Sequence, residues 1–135
     1  MRLAGFNFNK ISIERKKEKP EKVKISSNIE ISNIEEIEMK LANKNEKLLN
    51  VFFDYILNYE PEFANIEFKG SMAIIIDEKM GKEVLKKWKE KETLKDFKLA
   101  VLNVIFKKCN IKALQLEEEL GLPLHMPLAS LRPSN

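Results

Sequence analysis

Between Thr93 and Gly121 apolar residues recur in alternating steps of three and four: Leu99, Leu102, Phe106, Cys109, Ala113, Leu116 and Leu120. That spacing predicts a helix. A second run (Leu94, Phe97, Val101, Val104 and Ile111) keeps the rhythm on another side, interrupted at Lys108. Thr93 with Asp96 reads as a capping box, and Gly121 followed by Pro123 as a stop. At about 1.5 Å per residue such a helix runs roughly 40 Å. A surface helix needs one apolar stripe. Two stripes predict a helix packed between two layers, one of which another copy of the chain can supply.

Upstream the period shortens to two, which predicts strands. Phe6 and Phe8 share a phase that Ile11 and Ile13 do not, so a bulge or a bend is expected near Asn9 and Lys10. Val23, Ile25, Ile29 and Ile31 alternate in a second strand, with Ser27 in phase. Ile34, Ile37 and Met39 follow a slip around Asn33, as one long bulged strand or two short ones. Asn43-Lys44-Asn45 is the best hairpin turn. In residues 47–59 one face carries Leu49, Val51, Phe53, Tyr55, Leu57 and Tyr59 without a break. The other face sets Leu48, Phe52 and Ile56 between Asn50, Asp54 and Asn58, more apolar than a sheet face open to water should be. After a turn at Glu60-Pro61-Glu62, Ile66, Phe68, Met72 and Ile74 form a fourth strand, with a bend at Gly70. Asp77 caps a short helix whose stripe is Met80, Val84, Leu85 and Trp88. Leu122-Pro123-Leu124-His125-Met126-Pro127-Leu128 is extended by its prolines and too apolar for a free tail, so it is expected in a groove of its own molecule or of a neighbour.

Composition narrows the functional classes. With 135 residues the chain is one domain, or one domain plus a tail, large enough to bury a core without staples. Twenty-four basic against 21 acidic side chains leave a net charge of only +3, and nearly all the cations are lysines. Nucleic acid is therefore not an expected partner, because arginine is the better reader of phosphates and bases. The lysines of residues 82–91 read as a solvated helix face rather than a phosphate site. Cys109 is the only cysteine, so neither an internal disulfide nor a Cys-based metal cluster can form. It reads as a packing thiol. No apolar run approaches the length of a membrane helix and no secretory signal is read, so membrane insertion is not expected and a cytoplasmic location is.

Chemistry-bearing constellations are sparse. One histidine and one cysteine do not provide a nucleophile, base and orienting group. The four glycines are too scattered for a phosphate loop, and no histidine or acidic cluster has metal-ligand spacing. The chain is read as a non-enzyme without a cofactor. His125 reads as a packing or hydrogen-bonding residue. Glu117, Glu118 and Glu119 oppose the dipole of the helix they close; they read as a solvated patch, with a dock for a basic partner as the alternative.

The order of these elements resembles SecB, the tetrameric export chaperone, and the SecB-like proteins found outside bacterial secretion. The likeness is carried by Phe6-Asn7-Phe8-Asn9-Lys10-Ile11-Ser12, by Ala100-Val101-Leu102-Asn103-Val104-Ile105 and by the Leu122–Leu128 exit from the long helix. The resemblance implies an α+β fold: a four-stranded antiparallel sheet, a short crossover helix and a long C-terminal helix packed on one face. Residues 1–121 would form the domain and 122–135 the apolar, proline-containing tail. It also implies an ATP-independent holdase for unfolded or nascent polypeptides, linked to protein export and assembled as a dimer of dimers. On that reading Phe6, Phe8, Leu48, Phe52, Ile56, Leu124 and Met126 line the client grooves, and Phe97, Val101, Val104 and Ile111 lie between copies. The alternative is an adaptor whose apolar surfaces serve one fixed protein partner.

Overall fold

The computed structural model describes residues 1–16, 18–38 and 45–134. Four strands, β1 (Arg2–Arg15), β2 (Lys24–Ile37), β3 (Glu46–Glu60) and β4 (Ala64–Asp77), precede two helices, α1 (Glu78–Lys89) and α2 (Lys95–Leu120). The strands form one antiparallel sheet in the order β1-β4-β3-β2, so the first two strands are its edges. The predicted α+β architecture is the observed one.

The alternation in β3 decides which face is covered. Leu49, Val51, Phe53, Tyr55, Leu57 and Tyr59 are fully buried toward α2, and register pairs them with Ile74, Met72, Gly70, Phe68, Ile66 and Ala64 of β4. Both edge strands carry extra residues, β1 two (Ala4 and Asn9) and β2 one (Ser32). In β1 Phe6 and Phe8 lie opposite Met72 and Gly70; after a shift between Phe8 and Lys10, Ile11 and Ile13 lie opposite Phe68 and Ile66. A one-residue insertion reverses the side-chain phase, so both pairs end on the covered face. β2 does the same between Ile31 and Asn33, which brings Ile34 into the core, while Ile37 falls opposite Leu48 on the other face. Of the predicted turn only Asn45 is described; Met39, Asn43 and Lys44 lie outside the described residues.

Aromatic rings tie β1 to the centre of the sheet. Phe6 stacks on Phe53 at 5.1 Å, Phe8 packs on Phe68 at 5.2 Å, and Phe68 stacks on Tyr55 at 5.4 Å. Gly70 makes this possible, because a Cβ there would stand 2.6 Å from Phe53 Cζ and collide with the Asn7 carbonyl. α1 starts as predicted: Met80 N–H donates to Asp77 Oδ2 at 3.3 Å. Val84 joins the core and Trp88 Nε1 donates to Asn33 Oδ1 at 3.2 Å. Its lysines are partly neutralised locally, Lys82 by Glu78 and Lys87 by Glu90 and Glu92.

α2 departs from the sequence reading in two ways. It begins at Lys95 behind Leu94, with no side-chain cap, so the Thr93–Asp96 capping box does not form. Its C-terminus is as predicted, with Gly121 left-handed (φ 63°) and Leu122 N–H donating to the Glu117 carbonyl at 2.9 Å. The second departure concerns the stripes. Buried residues recur every fourth position: Phe97, Val101, Ile105, Cys109, Ala113 and Glu117. Four residues overshoot one turn by about 40°, so this seam winds about 200° around the helix as α2 crosses a twisted sheet and meets the tail. Phe97 and Val101, expected between copies, are therefore enclosed in their own protomer's core. The straight stripe is left partly uncovered: Leu99 and Phe106 are 61% and 48% exposed, and Ile111, on another side, 61%.

Candidate functional site

Within this apolar layer lies one cluster of buried polar groups. β3 places Tyr55 and Tyr59, four residues apart, on the covered face; α2 places Asn110 and Glu117, two turns apart, above them; the chain after Gly121 brings His125 over both. Tyr55 Oη donates to Asn110 Oδ1 at 2.8 Å, and Tyr59 Oη donates to Glu117 Oε2. The His125 backbone N–H donates to the same Oε2 at 3.0 Å. On its ring, Nδ1 lies 2.8 Å from Glu117 Oε1 and Nε2 3.1 Å from Asn110 Oδ1. A buried carboxylate is tolerated only when paired and hydrogen-bonded. Glu117, with no exposed surface, has that shell. Among the described residues no buried side-chain nitrogen or oxygen lacks a partner.

Glu117 thus corrects the solvated-patch reading: only Glu118 and Glu119 face water. Burial raises the Tyr55 and Tyr59 hydroxyls above the usual tyrosine range, Tyr59 further through its bond to Glu117. Burial also pushes the Cys109 thiol up to about 12, which makes it the packing thiol the sequence suggests. The cluster holds a chain segment in place. The cluster escaped the sequence reading; the seven-residue spacing between Asn110 and Glu117, with a lone histidine in an apolar tail, is the signal by which it could have been found.

The residues expected to line client grooves occupy three places. Phe6 and Phe8 are half-buried in the aromatic cluster beside α2, where Lys108 Nζ stands 6.0 Å over the Phe6 ring. Leu48, Phe52 and Ile56 lie together on the opposite sheet face, half-buried and outside the core. Leu124 and Met126 flank His125 and are exposed. The structure brings Leu48, Phe52 and Ile56 together, and Phe6 with Phe8, but joins neither group to the tail. Of the expected interface residues only Val104, half-buried, and Ile111, exposed, retain free surface. Leu99 and Phe106, which the sequence reading placed on a stripe but not in a site, form the uncovered strip on α2. Among the described residues no group of histidine, cysteine and acidic side chains has the geometry to hold a metal ion, and no helix is long and apolar enough to cross a membrane.

No protein-family model matches the chain, and no curated protein matches it in sequence. Among solved structures, the SecB-like chaperone of Mycobacterium tuberculosis, in complex with a ChAD peptide from the HigA1 antitoxin, is similar over 98% of this chain and 92% of its own. The TM-score is 0.54 at 10% sequence identity. This chain has a SecB-like fold.

Proposed function

We propose that this protein is a SecB-like polypeptide-binding chaperone, a non-enzymatic, ATP-independent holdase that keeps unfolded or nascent chains from aggregating. The reading rests on one observation: on a SecB-like fold, α2 leaves Leu99 and Phe106 open to water and the tail exposes Leu124, Met126 and Leu128. Clustered exposed apolar side chains of this size mark interaction sites. An extended client offers many weak contacts, which add through effective concentration. Ile111 lies about 120° around the helix from Leu99 at 100° per residue. It belongs, with Val104, to contact between copies in a dimer of dimers in the cytoplasm, and a link to protein export follows if clients are secreted. Light scattering of an aggregating model client tests the proposal: suppression at equimolar protomer is expected, and its absence would overturn it.

A second reading has its own support. The structural neighbour was solved with a peptide from a single antitoxin, which favours a chain that serves one fixed protein partner. Native mass spectrometry of the complex recovered from cells separates the two. One stoichiometric partner supports the adaptor; a heterogeneous mixture supports the holdase.

A further inference from the structure

The tail does not leave α2 at random. Leu122 is buried, and His125 sits over Glu117 and Asn110, so the chain has turned back along the helix toward its N-terminus. Leu99, Phe106, Asn110 and Glu117 are spaced by seven, four and seven residues, which places them on one line of the helix within about 40°. The tail covers the polar half of that line. The apolar half lies directly ahead of it and is uncovered.

Length, side chains and charge then match. From Asn110 to Leu99 is eleven residues of helix, about 17 Å, and six extended residues from His125 to Leu131 reach about 20 Å. In a polyproline II form, with three residues per turn and about 3.1 Å rise, Leu128 and Leu131 lie on one side about 9 Å apart, close to the roughly 10 Å between Phe106 and Leu99 seven helical residues apart. Pro127 and Pro133 favour the extended form. Arg132, the one formally charged side chain between Leu120 and Asn135, then arrives beside Asp96, three residues before Leu99. Asp96 lines a cleft of about 560 Å³ together with Asp77 and Glu83, three carboxylates against the amino groups of Lys95 and Met1, so acidic groups are in excess at the far end of the path. In the structure Leu128 and Leu131 are exposed and unused.

We infer that residues 126–132 are a strap: anchored at His125, they close along α2 of the same protomer, with Leu128 over Phe106, Leu131 over Leu99 and Arg132 at Asp96. The open arrangement of the tail is one state of the strap and the closed one is its resting cover. The strap occupies the strip assigned above to polypeptide, and in that respect alone it rests on the proposed function.

Disulfide trapping tests it in the full-length chain with Cys109→Ala, which removes the native thiol, and Leu99→Cys and Leu131→Cys, both at exposed sites. Under a mild copper–phenanthroline oxidant, a bond within one chain is expected to form at least tenfold faster than in a control pairing Leu131→Cys with Lys107→Cys, about 80° away on the helix. Neutralising the acidic end with Asp96→Asn is expected to slow trapping at least twofold at low salt. Equal rates for the two pairs would overturn the strap, and so would bonds formed only between chains. Carboxymethylated, permanently unfolded lactalbumin is then added. Slower trapping shows that strap and client share the strip. Unchanged trapping leaves the strap standing and counts against the holdase reading alone.

Discussion

Glu117 shows how much one side chain can hold when it is buried with its partners. Replacing it by alanine leaves the Tyr59 hydroxyl and both His125 donors facing an apolar layer, which costs about 2–4 kcal/mol. Urea denaturation is expected to show that loss, with Glu117→Gln losing less; a change under about 0.5 kcal/mol would contradict the latch. Gly70 is the steric counterpart. A methyl group against Phe53 and the Asn7 carbonyl overpacks the sheet centre, and Gly70→Ala is expected to destabilise by about 1–3 kcal/mol in the same experiment. The pH dependence comes from groups that the fold keeps protonated. Below pH 9.0 folded and unfolded chains both hold the Cys109 proton, and the stabilisation is complete. Above it the unfolded chain releases the proton while the folded chain retains it to about 12, so stability falls as pH rises, by at most about 1.4 kcal/mol per pH unit. The tyrosines, raised above 10.0, add to the fall from there upward. The thermal midpoint is expected to start dropping near pH 9 in the natural protein and near pH 10 in Cys109→Ala.

At the scale of elements, α2 and the tail divide the work. The winding seam gives the helix its hold on the sheet, so the strip at Leu99 and Phe106 is free of structural duty. Serine at both positions is expected to change unfolding free energy by no more than about 0.5 kcal/mol, as for other exposed sites. The same double variant is expected to lose most of its suppression of client aggregation in light scattering. If stability falls while holding persists, the strip is packing surface rather than a binding site. The bulges in β1 and β2 illustrate the same economy. Each inserts one residue and so restores the core phase of the residues beyond it. Strands with broken alternation thus still deliver every large apolar side chain except Ile37 to one face.

For the whole molecule, one face of the sheet carries the core and the other keeps Leu48, Phe52 and Ile56 half-covered, while Ile111 stands clear on the outer side of α2. Association of copies is the expected consequence. Light scattering on a sizing column should report a multiple of the 15.7 kDa protomer, and Ile111→Asp should shift it toward the single chain. A natural protein that elutes as a protomer would remove the dimer-of-dimers proposal.

Local pattern was enough for features that depend on neighbours in sequence. The four strands, the bulges near Asn9 and Asn33 (though not the one at Ala4), the Asp77 cap, the Gly121 stop and the burial of Cys109 stem from period, phase and backbone preference, and so did the layout that resembles SecB. The chain could not reveal by itself which part of a helix with two apolar stripes faces inward. That is decided by the twist of the sheet it crosses, which bends the buried seam away from a straight stripe, encloses Phe97 and Val101 and frees Leu99 and Phe106. The fate of Glu117 is decided in the same way: its neighbours in sequence are solvated acids, but the tail folds back over it, and only in three dimensions do Tyr59 and His125 arrive to hold it.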